Sequence, residues 1–225
     1  MPYANRHDHL DAAERLIEAA ERLIGQQGVQ GVSLREISRA AQQRNNYAVQ
    51  YHFKDFSSLM QAIRERRMPE VERARAELLA AAKRQGKLGD TRTLTELLHL
   101  PVIQHRSANG ERHFARFVLA MLTSPDVAHF GEGFFESMPI GTHVLELLQA
   151  LHPEIPMNLI LERQRLLGIM VLTGIFNRAP TFDRSAYEAA LIENVLDMAT
   201  AAIAAPVSPQ VAAMVERADE AQRPT

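Results

Sequence analysis

The stretch from Ser33 to Phe53, SLREISRAAQQRNNYAVQYHF, constrains this chain more than any other part of it. Ser33-x-x-Glu36 has the form of a capping box, in which the serine oxygen accepts from the third helical N–H and the glutamate returns to the serine backbone. Leu34, Ile37 and Ala41 then fall on one face, which predicts a helix of about two turns. Gln42-Gln43-Arg44 makes a corner, and Asn45 is placed to cap a second short helix running through Gln50 or so. On that helix Val49 and Phe53 point inward, leaving Asn46, Tyr47, Ala48 and Gln50 outward. Two short helices about a tight corner have the form of a helix-turn-helix, whose second helix enters the major groove of DNA.

Charge supports this locally and not globally. The chain of 225 residues carries a formal net charge of −2, so its bulk charge does not point to nucleic acid. Between Ser33 and Lys54, however, Arg35, Arg39, Arg44 and Lys54 stand against Glu36 alone. Such a surplus can meet phosphates while the rest of the molecule stays acidic. Charge alone would fit an ordinary solvated helix equally well; the capping box and the corner favour the DNA reading.

The remaining sequence predicts an all-α protein. Alanine, leucine, glutamate and arginine dominate, β-branched runs are scarce, and apolar residues recur at spacings of three and four. There is no cysteine, which excludes a disulfide framework and thiol chemistry. Residues 1–11 lack the apolar core of a signal peptide, and no stretch approaches the roughly 20 apolar residues that cross a bilayer. A cytoplasmic protein with no membrane partner is the expectation.

A first helix should start at Asp8 or Asp11, bury Leu16, Ile17, Ala20, Leu23 and Ile24, and end at Gly28 and Gly31, with Val29 and Val32 beneath the turn. A long helix should open at Ser57 or Ser58, run through Leu59, Ile63 and Met68 toward Leu79, and kink or break at Pro69. Further helices are expected over Thr91–His105, Arg112–Leu122, Met157–Phe176 and Ser185–Ala204. Asp126–Leu151 reads as helical at both ends, interrupted by Gly131, Gly133, Pro139 and Gly141. These elements suggest a helix-turn-helix domain over 1–56, a larger helical domain for ligand binding and dimerisation over 57–205, and a frayed tail over 206–225.

Leu10 to Ile63 resembles the N-terminal DNA-binding domain of the TetR family of bacterial transcriptional regulators. The resemblance runs through the helix ending in GQQGVQGVSL, the REISRAA helix, and a second helix closing with YHF before one that carries Leu59. It covers about a quarter of the chain. It implies a homodimer whose last two long helices pair in a four-helix bundle, a palindromic double-stranded DNA operator and a small-molecule effector. By position it assigns Ser33 and Arg35 to phosphate, and Asn46, Tyr47, Ala48 and Gln50 to base edges. Tyr51, His52 and Lys54 fall where the family grips the backbone. The chain departs from the pattern in its bulky corner QQRNN and in Phe56, where a lysine is common.

Side-chain chemistry agrees with these roles. Asn46 and Gln50 can pair with an adenine edge, Arg44 with guanine or phosphate, and Ala48 with a thymine methyl. Tyr51 and His52 can donate to phosphate oxygens, or they can pack at the surface of the core.

An enzyme is the weaker reading: no nucleophile elbow or glycine-rich phosphate loop is present, so no catalytic residue is assigned. Glu96-x-x-His99 has the spacing of a di-iron half-site but lacks a second copy, and no metal or cofactor is assigned. Phe114, Phe117 and Met121, with Phe130, Phe134, Phe135, Met138 and Met170, either line an adaptable cavity for an apolar or amphipathic effector or form core. His113, Arg116 and Asn177 are candidate polar partners for it. Leu166, Ile169 and Thr173, with Leu191, Val195 and Met198, make apolar faces suited to a dimer, and Gly168 and Gly174 allow close helix approach. The expectation is a dimeric, ligand-responsive repressor. The alternative is a helical small-molecule binding protein with a vestigial DNA-binding motif.

Overall fold

The computed structural model describes residues 4–43, 45, 47–125, 137–176 and 184–222. Among them the fold is all-helical, with no strand. The α-helices are α1 (Ala4–Gln27), α2 (Leu34–Ala40), α3 (Ala48–Phe53), α4 (Phe56–Arg84), α5 (Thr91–Gln104), α6 (His113–Leu122), α7 (Pro139–Leu151), α8 (Met157–Phe176), α9 (Arg184–Ile203) and α10 (Pro209–Gln222). A single 3-10 turn, Val29–Gly31, follows α1. No helix among the described residues is long and apolar enough to cross a membrane.

One continuous set of buried side chains runs from Leu16 in α1 to Ile203 in α9. The expected stripe occupies the C-terminal half of α1: Leu16, Ala20 and Ile24 are wholly buried and Leu23 packs at the edge. The α1 helix lies across α6, and the approach is closest at Gly25, where an added Cβ would sit 2.8 Å from Arg116 Cβ. Arg67 of α4 bonds Glu21 of α1 at 2.7 Å and Arg66 bonds Glu14 at 2.9 Å, so α1 is tied to α4 as well. The α8–α9 pair packs on α5 and α6, with Arg92 of α5 holding Glu193 and Asp197 of α9.

Several elements differ from expectation for identifiable reasons. The first helix begins at Ala4, ahead of Asp8 and Asp11. The long helix is capped by Asp55, whose carboxylate accepts from Ser58 N at 2.8 Å, and not by Ser57 or Ser58. It passes through Pro69 without a break. Pro69 and Glu65 are both exposed, so the carbonyl left without a donor can meet water. Pro139 starts α7 rather than interrupting a helix, because a proline at the first helical position removes only an N–H that has no intrahelical partner. Gly141 lies inside α7. The tail after Pro206 is not frayed throughout: Pro209 opens α10, and Ser208 Oγ accepts from Val211 N at 3.3 Å.

A second proline shapes the interior. Pro101 is buried within α5 and cannot donate to the carbonyl of Leu97. Arg75 of α4 supplies the missing donor, with Nε 2.9 Å from Leu97 O and Nη2 3.3 Å from Leu98 O. Its Nη1 pairs with Glu72, whose other oxygen accepts from Ile140 N (2.6 Å) and Gly141 N (3.3 Å) at the start of α7. Burial lowers the Arg75 pKa to about 10, still far above neutrality, so the guanidinium stays charged. His99 lies beside it, 5% exposed with Nε2 unpartnered, and burial together with the Arg75 charge lowers its pKa to about 4.

Two outcomes follow from this cluster. Replacing Arg75 with alanine strands Glu72 and the Leu97 carbonyl, and should cost about 3–5 kcal/mol in urea denaturation; a loss below about 1 kcal/mol would remove the cluster from any structural role. His99 is neutral when folded and has the higher pKa when unfolded, so the unfolded state binds the extra proton between about pH 4 and 6.5. Stability should therefore be full above that window and fall on acidification through it, by up to about 1.4 kcal/mol per pH unit, and a His99→Leu variant should lose that slope.

Candidate nucleic-acid interface

The corner region is built from local bonds. The capping box forms as expected: Glu36 N donates to Ser33 Oγ at 3.2 Å, and Ser33 N donates to Glu36 Oε2 at 2.8 Å. Ser33 Oγ also gives its proton to Glu36 at 2.7 Å, which leaves the hydroxyl no proton for a phosphate in this arrangement. These bonds to Ser33 hold the Glu36 pKa below its usual value.

The helix ends at Ala41, and Gln42 takes φ +55°. Gln42 N bonds Arg39 O and Gln43 N bonds Ser38 O, the two bonds of a Schellman motif. Glycine is the usual residue at the left-handed position of that motif, and here it is glutamine. Asn45 does not cap α3 as expected: the N-cap is Tyr47, with no side-chain cap bond, and Asn45 Oδ1 accepts from Tyr47 N at 2.9 Å in the turn before it. The helix runs on to Phe53, past Gln50.

Its exit is sharper still. Asp55 N bonds Phe53 O at 2.7 Å across Lys54, which sits at φ +66°, ψ −58°. This is a γ-turn of the rare, positive-φ kind, strained for a residue with a Cβ. Asp55 next caps α4, and its bonds to Ser58 lower its pKa. Among the described residues Gln42 and Lys54 are the non-glycine residues with positive φ, and they bracket α3.

Four outward side chains result. Tyr47 and Tyr51 are 59% and 71% exposed, and Gln50 and Lys54 are exposed beside them. Gln50 and Tyr51 lie on the helix itself, and Tyr47 and Lys54 stand at its two ends. Val49 is wholly buried opposite, above Ile37, Leu59 and Ile63, with Phe53 packed at the edge. His52 is half-buried, its ring edge-on to Tyr51 at 5.1 Å. Exposure rules out a core position for Tyr51. Arg35 and Arg39 of α2 are exposed. Arg44 and Asn46 lie outside the described residues.

Ala48 is a correction. It was expected on the outer face, against a thymine methyl, but it is 5% exposed and belongs to the core cluster. The short helix turns Ala48 and Val49 inward together, so the outer face passes from Tyr47 to Gln50.

The expected effector and dimer residues divide similarly. Phe114 and Phe117 are 2% and 4% exposed and stack on each other at 5.9 Å, so they are core. Met138 is buried at 6%, while Met121 and Met170 pack at the core's edge. Arg116 lies over the Phe176 ring at 4.2 Å. Phe130, Phe134, Phe135 and Asn177 lie outside the described residues. Leu166 and Met198 are half-exposed on the outside of the α8–α9 pair, joined by Tyr187. Ile169, Thr173 and Leu191 are partly exposed. Val195 is a second correction: it is 7% exposed and packs within the chain on Gly174, whose added Cβ would meet Val195 Cγ1 at 2.8 Å. The close approach expected of Gly168 is likewise made within the chain, to Leu122. No group of His, Asp and Glu suited to a metal is found among the described residues.

Sequence reasoning missed the strained pair Gln42 and Lys54, since backbone dihedrals are not written in residue types. It also missed Arg75, although a signal existed: Arg75 falls on the apolar stripe of Met68, Val71 and Leu79. No protein-family model matches the chain, and no curated protein matches it significantly.

Glycine at either strained position should stabilise the fold. Gln42→Gly and Lys54→Gly should each gain about 0.5–1 kcal/mol, read as a raised melting temperature. Destabilisation by either would mean that the side chain holds the corner more than the backbone resists it.

Proposed function

We propose that the protein is a sequence-specific DNA-binding regulator, a repressor that acts as a homodimer on a palindromic operator and responds to a small effector. The helix-turn-helix would be α2 and α3, and the remaining helices would form the body that dimerises and responds. The observation that carries the reading is the outward side of α3 and its two ends: Gln50 and Tyr51 exposed on the helix, Tyr47 and Lys54 exposed at its caps, with Val49 and Phe53 packed behind. Aromatic hydroxyls, an amide and an ammonium on a short, exposed helix suit a groove better than bare solvent. The Gln50 amide offers a donor and an acceptor to an adenine edge. Tyr51, Lys54 and the exposed Arg35 and Arg39 would meet phosphates and set register.

The same resemblance to TetR-family regulators that suggests DNA suggests the dimer. In its support, Leu166, Tyr187 and Met198 expose apolar surface along α8 and α9. Two copies joined there would present two α3 helices to successive major grooves.

Selection from a pool of random duplexes should return one palindrome whose binding weakens steeply with salt. On that site Gln50→Ala should cost about 1–3 kcal/mol and relax preference at one base pair, whereas Lys54→Gln should weaken all sequences alike. Unselective, weak binding would sink the regulator reading. Sedimentation at micromolar concentration should give a dimer that Met198→Glu disrupts; a monomeric parent chain would overturn the dimer.

A further inference from the structure

The final helix, α10, stands clear of the interior: among the described residues, none of its side chains belongs to the core or packs against it. Yet it is amphipathic. Val211 and Met214 are 39% and 52% exposed, and with the half-buried Val215 they share one helical face at spacings of three and four. An apolar stripe of this kind left in water gains free energy when something covers it.

The helix does not reach back over its own chain. Arg163 Nη1 donates to Ile203 O at 2.7 Å where α9 ends, Val207 packs on the core, and Ser208 Oγ caps α10. The connection is thus held at both ends, and α10 cannot fold onto α9 without lifting Val207 away. A lipid surface or a nucleic acid is no better a cover, because α10 carries Glu216, Asp219 and Glu220 against Arg217 alone. A second copy fits. Leu166, Tyr187 and Met198 are half-exposed on the outside of α8 and α9, and that face continues past Met198 as the exposed Ala201 and Ala202, toward the connection into α10. Three large side chains half-exposed offer on the order of 250 Å² a copy, short of the roughly 450 Å² of apolar area on each side of a standard interface. The stripe of α10 is of the size that closes the gap.

We propose that α10 is an exchanged arm: each copy in a homodimer lays Val211 and Met214 across the outer α8–α9 face of the other, beside Leu166, Tyr187 and Met198. The contact is isologous, so the arm is used twice and the two copies clasp one another. This rests on the dimer reading above and adds to it the element that brings the α8–α9 contact to a stable size. The shallow alanine end of α9 gives the arm's larger side chains room to seat.

Sedimentation of the full chain and of Met214→Glu tests this. Met214 is exposed, so the variant should fold and melt cooperatively, while its dimer dissociation constant rises about tenfold or more. The chain has no cysteine, which allows single cysteines to report contact between copies. Met214→Cys chains mixed with Leu166→Cys, Tyr187→Cys or Met198→Cys chains should be joined by a short bis-maleimide in at least one pairing, giving a species of twice the chain mass that contains both variants. A parent dimer that Met214→Glu leaves equally tight overturns the arm and leaves the dimer reading standing. A monomeric parent overturns both. A chain carrying Met214→Cys and Tyr187→Cys together that links only to itself, at monomer mass, assigns the face to its own α9 and overturns the exchange.

Discussion

The interior of this protein depends on the absence of one N–H. Pro101 takes the donor for Leu97 O out of α5 in the middle of the bundle, where water cannot replace it. Arg75 fills that gap from α4, and a buried guanidinium then requires a counter-charge, which Glu72 provides. Glu72 in turn needs donors for its second oxygen and finds them at the start of α7, where backbone N–H groups point outward unpaired. One proline thus draws three helices into a single hydrogen-bonded junction. Apolar packing alone would let α4, α5 and α7 slide past one another; this junction allows one register.

The N-terminal helices are coupled to that body along two lines. Gly25 lets the backbone of α6 come directly onto α1, and the Arg66 and Arg67 ion pairs clamp α1 to α4. Because α4 also carries Arg75, one rigid helix links the region around α3 to the proline junction. A displacement at either end of α4 has a direct mechanical path to the other. A regulator of the proposed kind requires such a path.

Much of the fold is legible in the sequence because periodicity and caps are local. The helix over Met157–Phe176 has the expected ends, and Thr91–His105 and Arg112–Leu122 differ by a residue each. The misses are of two kinds. Pro69, Pro139 and the tail were misjudged because proline's effect depends on where its freed carbonyl points or whether its N–H was needed, which is tertiary or positional information. Ala48 and Val195 were misassigned because an alanine or valine suits either side of a short helix, and only neighbours decide. At the candidate interface the outward setting of Tyr47 and Gln50 could be read from spacing, whereas Tyr51 and Lys54 were placed by the family resemblance.

The two strained residues give α3 a particular place in the molecule's energy landscape. A helix of six residues has little cooperativity of its own and is held by a buried alanine and valine and the edge of a phenylalanine. With Gln42 and Lys54 both in conformations that resist them, the segment between has less free energy separating it from its open form than the bundle has. The part of the chain that would face a partner is therefore among the least tightly held, although Ala48 and Val49 still tie it to the core. Contact with a matching surface would tighten it, so that part of any affinity is spent on order and is felt only by a partner that fits.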